Sequence, residues 1–170
     1  MKYKKEKTYY VFSNDIKIDN IVEGNITFLG SDEKIVIEGI EVITIGSTDE
    51  GVAFIVRIDD WSVFHAGDLN WWHWNGDTAE NLKAAEVCFK KELEKISGDF
   101  FDIAFFPVDA RLEEHSMKGV REFLNYAKVS NIVPMHMHGF TWNDNKIKNI
   151  DGESDIWFPA ENGVEKIFIK

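Results

Sequence analysis

Apolar and polar positions divide the chain into two halves with different periods. In the first half, apolar and β-branched residues come in short runs with a period near two, which predicts strands. Tyr9-Tyr10-Val11-Phe12 is the first such run, and Ile26-Thr27-Phe28-Leu29 is the second, closed by Gly30-Ser31-Asp32. Ile35, Ile37, Ile40, Val42 and Ile43 then mark either a strand pair or one long bent strand, with Gly39 as its turn or bulge. Val52 to Ile58 alternates cleanly, Asp59-Asp60 turns the chain, and Trp61 to Ala66 returns as the second arm of a hairpin.

In the second half the period changes to that of helices separated by strands. Asp77 and Glu80 have the spacing of a capping box, and Leu82, Ala85, Phe89, Leu93 and Ile96 follow on one face, so a helix is predicted over Asp77–Ile96 with Ser97-Gly98 as its stop. The continuous apolar run Phe101 to Val108 predicts a buried strand. Met117, Val120, Phe123, Leu124 and Ala127 predict a helix over about Ser116–Lys128. Ile132 to His136 is a short strand whose Pro134 places it near a sheet end, and Val164 to Ile169 is expected to be the closing strand. The polar stretch Asn143 to Glu153 is the main loop. No internal repeat or linker interrupts residues 1–170, which read as a single domain. A β-meander followed by alternating helices and strands predicts layered α/β architecture, sheets with helices packed outside, and argues against a closed all-β sandwich.

Charge narrows the classes of partner. The 170 residues carry a net charge of −11, and the one basic cluster, Lys2, Lys4, Lys5 and Lys7, is interrupted by Glu6. That balance argues against nucleic acid and anionic membranes and leaves a small molecule or another protein chain. No apolar run is long enough for a membrane span, and the first twenty residues lack the apolar core of a signal peptide, so the expected compartment is the cytoplasm. Cys88 is the only cysteine; within Ala84 to Phe89 it is expected to be a small buried hydrophobe.

Several residues could carry chemistry. Asp68 follows Gly67 at the end of a predicted strand, where glycine permits the sharp turn that lifts a carboxylate to the sheet edge; an Asx turn is the ordinary alternative. His136 and His138 lie two apart at another strand end, which puts two imidazoles on one face of an extended chain. Asp109 ends a third strand, with a helix cap or an ion pair to Arg111 as its plain structural role. His65 could ligate a metal, but its ordinary reading is a hydrogen-bonded core histidine or one that supports a ligand from behind. Trp71, Trp72 and Trp74 could wall a pocket, cover a core edge or form a stacking platform for sugars.

The ordered set Gly46-Ser47-Thr48-Asp49-Glu50-Gly51-Val52-Ala53-Phe54, His65-Ala66-Gly67-Asp68-Leu69-Asn70-Trp71-Trp72, Phe106-Pro107-Val108-Asp109-Ala110-Arg111-Leu112 and Pro134-Met135-His136 resembles the zinc-dependent hydrolases of metallo-β-lactamase fold. Within them it is most similar to the L-ascorbate-6-phosphate lactonase-like branch. The resemblance runs from about Tyr9 onward and implies an αββα sandwich with metal at the sheet edges. Asp68 matches the metal-bridging aspartate and His136 the late histidine that binds a second metal. His65, His138 and Asp109 stay candidates for further ligation or support by their own position, and Trp71, Trp72 and Trp74 for the pocket wall.

Two departures temper that reading. The family's His-x-His-x-Asp-His signature, which supplies most ligands, is absent, and so is the histidine expected near Gly46-Ser47. The expectation is an N-terminally truncated version of the fold. A four-ligand structural zinc site is worth roughly 10–16 kcal/mol, and a two-ligand remnant about half of that or less, so weak, substoichiometric zinc is expected. Asp68 and His136 should lie within about 7 Å of each other, the reach of one bridging ion. The functional expectation is a metal-dependent hydrolase acting on a small ester, lactone or phosphate-containing substrate, inactive or weakly active as this chain alone. The alternative is a non-catalytic module that binds a small molecule or a protein through the Trp-lined cleft. Pairing of two chains is one way to cover the sheet edge and apolar face that the missing strands would leave open.

Overall fold

The computed structural model describes residues 8–17, 25–137, 154–159 and 163–170. Among the described residues, the chain's hairpins and crossovers build one seven-stranded mixed sheet, β3 to β9, in sequence order. Its antiparallel part is β3 (Lys34–Ile37), β4 (Ile40–Gly46), β5 (Val52–Ile58) and β6 (Trp61–His65). The β3–β4 link is a two-residue turn. Glu38 and Gly39 both take positive φ, 48° and 86°, the twist that a tight hairpin requires. Gly39 is therefore the turn of a strand pair rather than the bulge of one long strand. Asp59, at φ 50°, turns β5 into β6.

From β6 onward the sheet is parallel. Helix α1 (Ala79–Glu94) carries the chain from β6 to β7 (Phe100–Pro107). A 3₁₀ segment, Ala110–His115, and helix α2 (Lys118–Tyr126) carry it from β7 to β8 (Lys128–Met135). The edge beside β8 is taken by β9 (Asp155–Ile156), through Asn131 opposite Asp155 and Ile132 opposite Ile156. Val164 to Ile169 is not the closing strand expected from its apolar alternation. Ile167 and Ile169 are 84% and 88% exposed, and β9 already occupies the sheet edge. The expected loop from Asn143 to Glu153 lies outside the described residues.

One face of the sheet packs on both helices. Ile45, Ala53, Ile55, Phe64, Ala104, Phe106 and Ile132 meet Phe89 and Leu93 of α1 and Val120 and Phe123 of α2 in one buried cluster. Phe123 stacks on Phe64 and Phe106, with ring centroids 5.1 and 4.9 Å away. Cys88, expected inside, is exposed. It stands one residue, about 100° of helix, away from Phe89, and α1 buries only the narrow face through Phe89 and Leu93. The α1 cap is also one residue later than the capping-box spacing suggests. The N-cap is Thr78, whose hydroxyl accepts from the Asn81 amide at 3.2 Å, while Asp77 accepts from the Thr78 amide.

The other face carries Val42, Phe54, Val56 and His65. A two-stranded parallel sheet is formed by β1 (Tyr10–Ser13) and β2 (Ile26–Leu29), and a cavity of about 740 Å³ lies between β1 and this face. Layered α/β architecture is thus what the chain adopts. The second sheet has two strands among the described residues, and both helices lie on the far side of the first. No helix among the described residues is long and apolar enough to cross a membrane.

Candidate active site

Three adjacent parallel strands end at one edge, and each is followed by a polar residue of the site. Asp68 comes after β6, Asp109 after β7 and His136 after β8. Parallel strands pointing the same way bring their C-terminal ends together, which is where open α/β sheets bind ligands. Gly67, at φ 56°, makes the turn that brings Asp68 round after His65. His136 itself takes φ 63°, a conformation uncommon outside glycine that swings its ring away from the strand line.

His136 lies between the two carboxylates. Its Nδ1 is 3.0 Å from Asp109 Oδ2, and its Nε2 is 3.5 Å from Asp68 Oδ1. Asp109 has no exposed side-chain surface, whereas Asp68 and His136 are 35% and 24% exposed, so the reachable side of the cluster is that of Asp68 and Nε2. Burial pushes the Asp109 carboxyl up. Hydrogen bonds from the Arg111 side chain, the Arg111 amide and His136 outweigh it and hold the group below its ordinary value of 3.8. Arg111 grips it from two nitrogens, Nε at 3.0 Å and Nη2 at 2.5 Å. Asp109 also caps the 3₁₀ segment by accepting from the Arg111 amide at 2.9 Å. Both plain structural roles expected for it are met, and the contact with His136 is added to them.

This arrangement sets the tautomer problem at His136. An ionised Asp109 at hydrogen-bond distance favours a proton on Nδ1, as carboxylate-supported histidine ligands have it. Nε2 then turns a lone pair toward the Asp68 carboxylate, and two such groups at 3.5 Å need a proton or a cation between them. Two ligand atoms about 2.0–2.1 Å from a tetrahedral ion stand roughly 3.3 Å apart, so the pair suits a divalent metal. Among the described residues no group of three His, Cys, Asp or Glu side chains could hold one.

The remaining expected site residues divide. Trp72 stands beside the cluster, its ring 5.2 Å from that of His136 and its indole N–H donating to the Asp68 carbonyl at 3.0 Å. Trp74 stacks on Trp72 at 5.9 Å with the planes 5° apart, and the Arg111 guanidinium lies 5.4 Å over the Trp74 ring. Trp71 is not part of this wall. It packs 6.4 Å from Phe89, and Lys118 lies 4.2 Å over its ring, on the helix side of the loop. His65 also turns elsewhere. It lines the cavity under β1, and its Nδ1 accepts from the Gly67 amide at 3.1 Å. His138 lies outside the described residues.

No protein-family model matches the sequence, and no curated protein does. Solved structures do. The chain superposes on a protein of Parabacteroides distasonis assigned as a metal-dependent hydrolase, with a TM-score of 0.59 at 12% identity. The match covers 90% of this chain and 64% of that one, so this chain spans under two thirds of its neighbour's length. The two share a fold. A protein of Thermotoga maritima, assigned as a zinc-dependent hydrolase of the metallo-β-lactamase superfamily, gives a TM-score of 0.45 at 19% identity, over 79% of this chain and 59% of its own. CmlA, a diiron β-hydroxylase of Streptomyces venezuelae, gives 0.42 at 14% identity, over 66% and 25%.

Arg111 is the site residue least apparent from sequence as a functional group. Its spacing from Asp109 suggests an ion pair, but nothing local tells that the same guanidinium covers Trp74.

Proposed function

We propose that the chain is a protein of the metal-dependent hydrolase kind in which Asp68 and His136 hold a divalent ion, zinc, at less than one ion per chain. The observation that carries this reading is the 3.5 Å approach of His136 Nε2 to Asp68 Oδ1, at the ends of parallel strands and backed by an ionised, buried Asp109. Asp109 orients the His136 ring through Nδ1. Asp68 would share the ion with His136 Nε2 and, through its second carboxylate oxygen, would accept a hydrogen bond from a water and so orient it. Trp72 and Trp74 shield one side of the site from bulk water and offer a flat surface to the substrate. When bound, the ion lowers the pKa of the water and stabilises the developing oxyanion. The substrate class is a small ester, lactone or phosphate-containing molecule, of the kind handled by the L-ascorbate-6-phosphate lactonase-like branch. Two protein ligands are one short of the three that catalytic zinc ordinarily takes, so turnover by this chain alone is weak or nil. A second reading rests on the stacked Trp72–Trp74 pair under Arg111: a cleft that retains a small ligand without turning it over.

Metal analysis of the purified chain, with a panel of ester, lactone and phosphodiester substrates, tests both readings. The expected result is under one zinc per chain, mostly lost in Asp68→Ala and in His136→Ala, with hydrolysis near background. Tight stoichiometric zinc that survives both substitutions would overturn the ligand assignment. Saturable ligand binding with no metal dependence would favour the second reading.

A further inference from the structure

The loop that walls the Asp68 site has a second face. Trp72 and Trp74 turn toward His136, whereas the alternate residues Trp71 and His73 turn toward α2. On that side a pocket of about 290 Å³ is lined by Trp71, Glu114, His115, Lys118, Arg121 and Glu122 among others. Its carboxylates are engaged. Glu122 is 3.3 Å from Lys90, and Glu114 accepts from Asn75 at 3.3 Å and lies 3.7 Å from His115.

The cations are not neutralised in the same way. Lys118 Nζ sits 3.0 Å from His73 Nδ1 and 4.2 Å over the Trp71 ring, and neither it nor Arg121 has an ion pair among the described residues. Burial, with the nearby Lys118 and His115, holds His73 below the ordinary histidine range. A neutral His73 therefore accepts from the ammonium at Nδ1. An ammonium fixed by a neutral acceptor and an aromatic face is positioned without losing its charge. Lys118 is also the first residue of α2, whose N-cap Met117 makes no side-chain capping bond, so the positive end of the helix adds to the same region. The Trp71 indole N–H is buried with no acceptor among the described residues. Neither cation is at ion-pair distance from a carboxylate among the described residues, in a pocket where Glu122 is paired with Lys90 and Glu114 faces Asn75 and His115.

We propose that this pocket, on the reverse side of the tryptophan loop from the Asp68 site, binds a compact doubly charged oxyanion: phosphate, free or as the terminal group of a small ester. Lys118 supplies a point charge and Arg121 a planar fork, the pair of donors that tetrahedral anions favour.

The test is calorimetric titration of the full chain with inorganic phosphate and, separately, methyl phosphate, at constant ionic strength and with a chelator to keep metal off the Asp68 site. Saturable one-site binding is expected, with a Kd at or below about 1 mM. Lys118→Met and Arg121→Gln should each weaken it about tenfold, the loss of one charge-assisted contact. Lys83→Met, on α1, and Asp68→Ala should leave it unchanged. The tighter of the two probes tells free phosphate from an esterified one. Both replaced residues are at least partly exposed, and circular dichroism would check their folding. No saturation up to about 10 mM, ten times that weak-site Kd, overturns the site. So does equal binding by the Lys118→Met/Arg121→Gln double variant, an equal response to chloride, or loss of binding in Asp68→Ala.

Discussion

Gly67 is the residue on which the geometry of the Asp68 turn depends. Its φ of 56° suits glycine, and a Cβ there would lie 2.7 Å from the Val52 carbonyl oxygen, a backbone atom that cannot move aside alone. Gly67→Ala should cost more than the roughly 1–2 kcal/mol of left-handed backbone, because the contact adds to it; urea unfolding measures the loss. Asp109 gives a pH prediction with a definite sign. Its folded carboxyl titrates below 3.8, so its stabilisation is full above the unfolded value and is lost as pH falls through the folded one. Asp109→Asn should therefore lower stability at neutral pH by about 1–3 kcal/mol, the cost of a lost charged hydrogen bond at a buried site. That difference should shrink as unfolding is measured at progressively lower pH below 4, and a gap that stays constant with pH would contradict the assignment.

At the scale of elements, α1 shows what caps and faces do. Thr78 supplies the hydroxyl that accepts from the Asn81 amide. Thr78→Ala should cost about 1 kcal/mol and Thr78→Ser only a few tenths, read from thermal melts. Strand β9 makes the complementary point about edges. Two residues, Asp155 and Ile156, take the β8 edge and the Trp157 amide donates to the Ile132 carbonyl, whereas the more strand-like Val164 to Ile169 has no strand partner among the described residues. Pairing follows the edge that is within reach, since backbone groups in register satisfy one another and alternation alone does not.

For the whole molecule, the aromatic centre ties the helices to the sheet. Phe123 is fully buried and stacks on Phe64 and Phe106, so Phe123→Ala should cost about 3–5 kcal/mol. That is a large share of the roughly 5–15 kcal/mol a domain has in total. Val87, on the exposed side of α1, should change stability by less than about 0.5 kcal/mol when cut to alanine. Chemical denaturation of the two variants side by side checks both values.

The strands of the meander, the two helices and the buried β7 were legible in the chain because their periods are local: two for a half-buried strand, 3.6 for a helix with one packed face. Asp68 and Asp109 stood out for a related reason, since each follows a strand end within a few residues. The resemblance in four ordered motifs singles out Asp68 again, together with His136. Tertiary structure decided the rest. Which way each tryptophan turns depends on what lies across the loop, and Phe89 and Lys118 drew Trp71 to the helix side while His136 faced Trp72. Cys88 fell outside because α1 buries a narrower stripe than its apolar composition suggests. Lys118 and His73, 45 positions apart in sequence, meet at 3.0 Å, and the Arg111 guanidinium lies over Trp74. No sequence spacing encodes such meetings, because they are set by the packing of one element on another, and packing is fixed only when the whole sheet and both helices close together.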